Sequence, residues 1–292
     1  MQIRNVGVVS PGDMGQAIAA CLKESGLNVH TALDGRSPRT RKLAQEAGLA
    51  DCGSMEKLVA ACDMVFSVLN PAAAVETARN AAAAMKATGR KITFVDCNAI
   101  APQTAHEIGA LIRGAGGAFV DIGIIGGPPR GKTVTKLYVS GPEAHLVTQI
   151  DHPRLSMRVV SERPGDASGV KMCYGSLTKG AAALGVEMLV AARRLGVEQT
   201  LVAELKESVG GVYGWLLDRM PPMPPKAYRW TPEMLEIAKT FEGAGMTPRL
   251  MLGAADMFDM IAATPIAKES PEQARKLARS GTEVVQAIAD GK

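Results

Sequence analysis

Aromatic residues are scarce in this chain of 292 residues, at 4% of the total, and its five cysteines are scattered singly. Proteins that bind single-stranded nucleic acid use aromatic side chains to stack on bases, so the composition disfavours that class. The cysteines form no C-x-x-C pair and have no histidine at metal-ligand spacing, which predicts free thiols and no metal site. No apolar run approaches the ~18 residues of a bilayer span. We therefore expect neither nucleic acid nor a membrane as a partner.

The remaining composition is that of an ordinary globular protein. Hydrophobic residues make up 47% and charged residues 21% of the chain, and the net charge of +4 is modest for this length. A chain of this size is long for one core and comfortable for two domains. The first residues run directly into a strand pattern, without the longer apolar region and cleavage site of a signal peptide, so we expect a cytoplasmic protein.

The first half of the sequence alternates short apolar runs with amphipathic stretches. Strands are predicted at residues 3–9, 28–33, 64–68, 91–96, 118–122, 136–140 and 158–160. Helices are predicted at residues 14–25, 38–47 and 72–85. Strands interleaved with helices indicate an α/β fold with a parallel, doubly wound sheet and right-handed crossovers, as in a Rossmann domain.

The second half is predicted to be entirely helical. The strand pattern ends after Gly165, and from residue 167 to about 195 apolar residues recur at helical spacing with many alanines. The segment MPPMPPKAYRW, residues 220–230, contains four prolines and is predicted to be a loop. A new helix is expected to begin after it, with Thr231 as N-cap and Pro232 at the first helical position. The predicted domains are a Rossmann domain over residues 1–165 and an all-α domain over residues 166–292.

The segment VGVVSPGDMGQAIAACL is the strongest local signal, because it joins a strand, a tight turn and a helix rich in small residues. Such a turn lets backbone N–H groups approach a pyrophosphate at the helix N-terminus, where the helix dipole favours negative charge. Serine stands where G-x-G-x-x-G has its first glycine, so the match is incomplete. The residues predicted to bind a dinucleotide here are Ser10, Pro11, Gly12, Asp13, Met14 and Gly15.

The segment TALDGRSPRTRKL, after the second strand, bears on the choice between NAD and NADP. Asp34 lies near the ~20-residue spacing of an acid that binds the adenosine ribose of NAD. Arg36, Ser37 and Arg39 offer groups for the 2′-phosphate of NADP, whereas Arg41 is expected on the solvated face of the next helix. We favour NADP as cofactor, with NAD as the alternative.

These segments resemble the β-hydroxyacid dehydrogenase superfamily, which includes 6-phosphogluconate dehydrogenase and the imine reductases. The resemblance covers nearly the whole chain, through GVVSPGDMG, DCNAIAP, DIGIIGG and GDASGVKMCYGSLTKG. The later segment WTPEMLEIAKTFEGAGMTPRL is similar to a branch whose C-terminal domain is grouped with phosphogluconate dehydrogenase-like proteins of unassigned function. The family's serine in the substrate motif is replaced by Ile125, and an asparagine one helical turn after the catalytic lysine is replaced by Gly175.

The resemblance implies an oxidoreductase that moves hydride between NADP(H) and a hydroxy or keto compound, with Lys171 as catalytic acid and base. Burial between domains can bring the pKa of a lysine towards neutrality, while the alternative is a lysine that snorkels to the surface. The resemblance also implies further contacts to the cofactor and to the substrate. Those to the cofactor are Leu69, Asn70 and Asn98, and those to the substrate are Ile125, Gly126, Gly127, Tyr174 and Lys179.

Several alternatives remain open at this point. Asn98 either faces the cofactor or serves as a turn residue, and Gly126 with Gly127 is also ordinary loop punctuation. Arg130 and Lys132 could attract an anionic group of the substrate, but a solvated loop is the commoner place for such residues, and we expect them there. Imine reduction and a non-catalytic dinucleotide sensor are the other functions weighed. A homodimer is expected through the C-terminal helices, because the run at 176–192 is too apolar to face water.

Overall fold

The computed structural model describes residues 3–291. The chain consists of two compact units, Met1–Met172 and Cys173–Lys292. The change from mixed to helical structure predicted after Gly165 coincides with the start of a long helix, Asp166–Arg194. Its first two turns belong to the first unit and the remainder to the second.

The first unit is built on one eight-stranded sheet with the order β3-β2-β1-β4-β5-β6-β7-β8. Its strands are β1 Asn5–Val9, β2 Asn28–Thr31, β3 Ala50–Asp51, β4 Met64–Ser67, β5 Thr93–Asp96, β6 Ala118–Ile125, β7 Thr135–Ser140 and β8 Leu155–Ser161. All neighbours pair in parallel except β6 and β7, which pair antiparallel. The predicted parallel, doubly wound sheet is confirmed, with this one antiparallel pair as the exception. The short connection from β6 to β7 allows an antiparallel return, whereas a parallel pair needs a crossover.

Helices cover both faces of this sheet. They are α1 Asp13–Glu24, α2 Pro38–Glu46, α3 Met55–Ala61, α4 Ala74–Thr88, α5 Pro102–Gly114, α6 Ala144–Thr148 and the beginning of α7, Asp166–Arg194. Val8 and Val120 face one core, which α1 and α6 complete, and Val65 and Phe94 face a second core with α3, α4 and α5. Strands buried on both faces explain the continuous apolar runs in the sequence. The predicted elements omit β3, α3, α5 and α6. Two exposed strand residues and helices of seven and five residues carry little periodic signal, whereas α5, with 13 residues, is a plain omission.

The second unit is helical within the described residues. After the later turns of α7 come α8 Glu198–Leu217, α9 Ala227–Gly243, α10 Arg249–Ala262, α11 Pro271–Leu277 and α12 Gly281–Ala289. Helix α8 is interrupted at Val209, directly before two glycines, where the backbone leaves helical geometry. No helix in the described part of the chain, α7 included, is long and apolar enough to cross a membrane.

The predicted loop at 220–230 was only partly right. A 3₁₀ turn covers Pro224–Lys226, and α9 begins at Ala227, so Pro232 lies inside the helix rather than at its first position. Thr231 is not an N-cap, because its hydroxyl donates to Asp259 Oδ1 of α10 at 2.7 Å. Trp230 also packs edge-on against Phe258 of α10, with ring centroids 5.1 Å apart. These contacts with α10 offset the backbone hydrogen bond that Pro232 cannot make.

Candidate functional site

The carboxyl ends of four parallel strands bring the predicted site residues together. Strands β1, β4, β5 and β6 run in one direction, so the segments that follow them lie along one edge of the sheet. This edge is where ligands bind in open α/β folds. The residues brought there are Ser10 to Gly15 after β1, Leu69 and Asn70 after β4, Asn98 after β5, and Ile125 to Gly127 at the end of β6.

The turn between β1 and α1 keeps the backbone shape of a glycine turn despite its serine. Ser10 has φ of 60°, the left-handed conformation that favours glycine. A side chain on Gly15 would meet the Ser10 carbonyl oxygen at 3.1 Å and Val68 Cβ at 3.5 Å, so glycine is needed for the helix to approach the strands. Pro11 is buried between them. The departure at Ser10 therefore leaves the turn intact.

The N-terminus of α1 fits an anionic diphosphate. Its N-cap is Gly12, which has no side chain to accept from the first-turn N–H groups, and a Cβ there would meet only the Ser10 carbonyl oxygen at 4.0 Å. Half-buried Asp13 and Met14 begin the helix. First-turn N–H groups and the helix dipole favour an anion at such an end. The residues present thus fit the diphosphate of a dinucleotide.

Two arginines from different elements meet at the first turn of α1. Arg39 of α2 forms an ion pair with Asp13, with Nη2 3.0 Å from Oδ1. Arg130 reaches from the loop after β6, and its Nη2 donates to the Asp13 carbonyl oxygen at 3.1 Å and to the Gln16 side chain. Arg39 was assigned to a 2′-phosphate from the sequence, and its side chain here points to the helix that would carry the pyrophosphate. Arg130 was expected in a solvated loop, and although exposed it is held against α1.

The loop between β2 and α2 is braced by Arg41. Its guanidinium donates to the carbonyl oxygens of Leu33 at 2.6 Å and of Arg36 at 3.3 Å, so Arg41 shapes the loop while it stays exposed on α2, as expected. Ser37 caps α2 by accepting from the Thr40 N–H at 3.2 Å. Asp34 is exposed and Arg36 half-buried in this loop. The acid and the arginine that bear on cofactor choice thus stand beside each other.

Asn98 acts as a buried turn residue, one of the two roles left open above. Its Oδ1 accepts from the Leu69 N–H at 2.7 Å, and its Nδ2 donates to Ser67 Oγ and Asp96 Oδ2. Only 2% of Asn98 is exposed. Asn70 caps a short 3₁₀ turn by accepting from the Ala72 N–H. These hydrogen bonds hold the loops after β4 and β5 in a fixed relation.

A buried carboxylate on β6 caps the start of α7. Asp121 accepts from the N–H groups of Gly165 and Ser168 at 3.0 and 2.9 Å and from the Ser168 hydroxyl at 2.6 Å. The Ser140 hydroxyl donates to Asp121 and accepts from the Ala167 N–H. Burial raises the pKa of the Asp121 carboxyl, and these hydrogen bonds oppose that rise. The first turn of α7 is therefore fixed to the sheet by side chains.

This cap places Lys171 at the end of β6. Lys171 lies one turn further along α7 than the capped residues, and its Nζ donates to the Ile124 carbonyl oxygen at 2.8 Å. Gly123 permits the approach, because a Cβ there would lie 2.4 Å from the Ala167 carbonyl oxygen. Burial raises the pKa of the neighbouring Cys97 thiol, and the charge of Lys171 partly counteracts it. The ammonium thus stands at the sheet edge and is directed into it rather than away from it.

The predicted substrate residues of the first unit lie at the end of β6 and in the loop directly after it. Ile125 is half-buried, whereas Gly126 and Gly127 are exposed. Gly126 has φ of 120°, which a residue with a side chain rarely adopts. The Gly127 carbonyl oxygen accepts from the buried Thr135 hydroxyl at 2.6 Å, which ties the start of the loop to β7. The two glycines therefore serve the geometry of the loop as well as any ligand.

The two predicted substrate residues of the second unit have different surroundings there. Tyr174 is 49% exposed within the described structure. Lys179 is paired with Glu233 of α9, with Nζ 2.7 Å from Oε1, and its ammonium lies 5.6 Å from the ring centre of Trp230. Lys179 thus has an internal role in the second unit.

Sequence reasoning missed the roles of Asp121, Arg41 and Arg130. For Asp121 a signal existed, because a single acid in the apolar run AFVDIGII implies a buried carboxylate that needs hydrogen-bond partners. For the two arginines no local pattern distinguishes a contact from a solvated side chain. All five cysteines are free thiols. Within residues 3–291 no group of three or more potential ligands could hold a metal ion.

Comparison with family models matches both halves of the chain. The model described as the NAD binding domain of 6-phosphogluconate dehydrogenase matches residues 5–150, half of the chain. A domain of unknown function, DUF1932, matches residues 192–261.

Individual relatives support the same assignment. A conserved protein of unknown function, whose structure was reported as similar to 3-hydroxyacid dehydrogenases, is 31% identical, with 88% of this chain and 96% of that chain covered and a TM-score of 0.65. The L-threonate dehydrogenase of Cupriavidus necator is 28% identical over 75% of this chain and 74% of its own length. The 3-hydroxyisobutyrate dehydrogenase of Mycobacterium tuberculosis shares the fold, at 21% identity and a TM-score of 0.70 over 95% of this chain and 100% of that chain.

Proposed function

The chain belongs to the family that carries the NAD-binding domain of 6-phosphogluconate dehydrogenase, and on this premise we propose the following function. The protein is an NADP-dependent oxidoreductase that interconverts a hydroxy and a keto compound, with Lys171 as general acid and base. A small-molecule substrate and a cytoplasmic location are parts of the same proposal. Relatives at this identity include dehydrogenases, which supports the reaction class.

The observation that carries this proposal is the position of Lys171. Its Nζ lies 2.8 Å from the Ile124 carbonyl oxygen, at the same sheet edge as the phosphate-binding turn. The buried cap formed by Asp121 and the space left by Gly123 both direct it there. A lysine that snorkelled to solvent would not donate to a carbonyl oxygen of the sheet, as Lys171 does to Ile124.

The chain's own groups account for the proton in this reaction. A bound nicotinamide dinucleotide would supply or accept the hydride. In oxidation, neutral Lys171 takes the proton of the substrate hydroxyl at Nζ, and in reduction its ammonium returns a proton to the carbonyl oxygen. The Ile124 carbonyl oxygen accepts one N–H of Lys171 at 2.8 Å and holds Nζ at the end of β6.

For the cofactor we propose a preference for NADP, based on the loop between β2 and α2. Arg41 fixes this loop through the carbonyl oxygens of Leu33 and Arg36, and the loop offers the Arg36 guanidinium and the Ser37 hydroxyl as groups that suit a 2′-phosphate. Fluorescence titration should show tighter binding of NADPH than of NADH. Arg36→Ala should weaken NADPH by ~1.5–3 kcal/mol while sparing NADH. Equal affinities for the two cofactors would contradict the preference.

A substrate screen tests the proposed reaction. Purified protein is incubated with NADP or NADPH and with sets of hydroxyacids, aldehydes and cyclic imines, and absorbance of the reduced cofactor is followed. Turnover with hydroxyacids or their keto forms supports the proposal. Turnover confined to cyclic imines would replace it with imine reduction. Tight binding of dinucleotide without turnover of any set would favour a sensor.

We also propose that the protein is a homodimer through its C-terminal helices. Leu177 and Leu184 lie two turns apart on α7 and are 64% and 63% exposed, and Leu250 of α10 is 74% exposed. Large apolar side chains exposed in such number are typical of a surface that another copy covers. Light scattering should give twice the monomer mass of 30.6 kDa. A monomer at micromolar concentration would contradict this.

A further inference from the structure

The loop between β6 and β7 lies against α1. At its start, the Gly127 carbonyl oxygen is bound by the Thr135 hydroxyl. Further along, buried Pro129 places its carbonyl oxygen 3.9 Å from Cys21 Sγ. Arg130 then extends towards the first turn of α1. The same loop therefore carries Gly127 of the proposed substrate site and contacts the helix of the proposed cofactor site.

The Arg130 guanidinium lies at the first turn of α1, where it is exposed enough to bind an anion. Its Nη2 donates to the Gln16 side chain and, at 3.1 Å, to the Asp13 carbonyl oxygen, but it lies 4.0 Å from the Asp13 carboxylate, and the side chain is 48% exposed. An exposed ion pair of this length contributes little. A diphosphate at the N-terminus of α1 would bring two negative charges and a geometry that a guanidinium binds with two parallel hydrogen bonds.

The base of Arg130 is well defined even though its side chain is exposed. The Arg130 N–H donates to the Pro128 carbonyl oxygen at 2.8 Å, and the Arg130 carbonyl oxygen accepts from the Thr133 N–H at 3.0 Å. These hydrogen bonds form a compact turn around Arg130. Because this turn is held by backbone hydrogen bonds, a change in the binding partner of the guanidinium should alter the position of the turn.

We propose that Arg130 binds the diphosphate of the cofactor and thereby fixes the loop from Gly126 to Val134 over α1. Arg130 is then a positioning residue that couples cofactor binding to the order of the substrate loop. This inference rests on the proposed function, because it requires a dinucleotide at α1. It predicts that the cofactor binds first and that its diphosphate strengthens the attachment of the loop carrying Gly126 and Gly127 to α1.

Calorimetric titration with ADP-ribose tests the contact, because this probe contains the diphosphate but no nicotinamide. Arg130→Ala should weaken ADP-ribose by roughly 10- to 100-fold, the range for a charge-assisted hydrogen bond. The affinity of Arg130→Lys for ADP-ribose should lie between those of the wild type and Arg130→Ala, because an ammonium keeps the charge but cannot form two parallel hydrogen bonds. Lys132→Ala is the matched control: it removes one exposed charge from the same loop and should change affinity by less than about twofold.

Hydrogen exchange tests the coupling. At ADP-ribose concentrations that saturate each variant, amides of residues 130–134 should gain protection in the wild type and in Lys132→Ala but not in Arg130→Ala. Equal affinity and equal protection in Arg130→Ala would overturn the inference and leave the proposed function standing. If the wild type did not bind ADP-ribose at all, the proposed function would fail with it.

Discussion

The N-termini of α1 and α7 lie near the same edge of the sheet but differ in how their first N–H groups are satisfied. Helix α1 starts at Gly12, which offers no side chain to its first-turn N–H groups. Helix α7 starts under Asp121, whose buried carboxylate accepts from two backbone N–H groups and two hydroxyls. A helix end needs partners for its first N–H groups. One end is arranged for an anion from outside, and the other is satisfied by the protein itself.

Under the proposed function, the difference assigns binding to the N-terminus of α1 and chemistry to the N-terminus of α7. The uncapped end of α1 is built from backbone, so a serine at position 10 is tolerated provided that it adopts the left-handed conformation. The capped end of α7 is built from buried side chains, so the position of Lys171 depends on each of them. Changes at α1 should therefore affect ligand affinity, and changes at α7 should affect stability and turnover.

The largest expected effect is that of Lys171→Ala. Loss of the positioned acid and base should lower turnover by ~10²–10⁴-fold, while NADPH affinity, which depends on α1, stays nearly constant. Steady-state kinetics on a substrate from the screen and a fluorescence titration measure the two effects. Lys179→Ala serves as comparison: because Lys179 is paired with Glu233 within the second unit, its loss should lower the free energy of unfolding, measured by urea denaturation, more than it lowers turnover. If Lys171→Ala kept full activity, Lys171 would not be the acid and base of the reaction.

The next effect concerns the cap itself. Asp121→Asn replaces one acceptor oxygen by a donor facing other donors, and should lower the free energy of unfolding by about 3 kcal/mol. Urea denaturation measures this difference. Asp256→Asn, an exposed acid on α10, is the control and should stay within ~0.5 kcal/mol of the wild type. If Asp121→Asn left the free energy of unfolding unchanged, the cap would not anchor α7.

A pair of glycine substitutions sharpens the comparison. Gly123→Ala puts a methyl group against the Ala167 carbonyl oxygen and should cost ~1–3 kcal/mol of stability and reduce turnover, with little change in NADPH affinity. Gly12→Ala meets open space in the protein but would intrude on the diphosphate, so it should weaken NADPH by roughly tenfold with stability preserved. Thermal melts and cofactor titrations on both variants should show this crossed pattern. If both variants lost the same property, the two helix ends would not be functionally separate.

The smallest effect is expected at Ser10. Ser10→Gly removes the cost of a left-handed serine, ~1–2 kcal/mol, but adds freedom to the unfolded chain, so the net gain in stability should be below about 1 kcal/mol. NADPH affinity should change by less than about threefold, because the turn already has the required shape. A large loss of affinity would show that the Ser10 hydroxyl itself binds the ligand.

Much of the first unit was predictable because it depends on local pattern. Apolar strands buried on both faces, and the glycines at 12 and 15, identify the Rossmann sheet and its phosphate turn without knowledge of any contact. The segment DIGIIGG and the helix carrying Lys171 were found through the resemblance, which ranks residues by motif rather than by surroundings. The antiparallel return of β7 and the helical path through Pro232 were not predictable, since each depends on a neighbouring element.

The sequence by itself determined the fold class and the place of the dinucleotide turn, because period, turn chemistry and small residues act over a few positions. The family resemblance added the candidate lysine. Only the tertiary structure decided that Ser10 adopts a glycine conformation, that Asp121 caps α7, that Arg41 braces a loop and that Arg130 reaches α1. The partners in the last three contacts are 8 to 117 positions apart in the chain. A hydrogen bond over such a distance is set by how strands and helices pack, and residue type alone does not specify which partner is met.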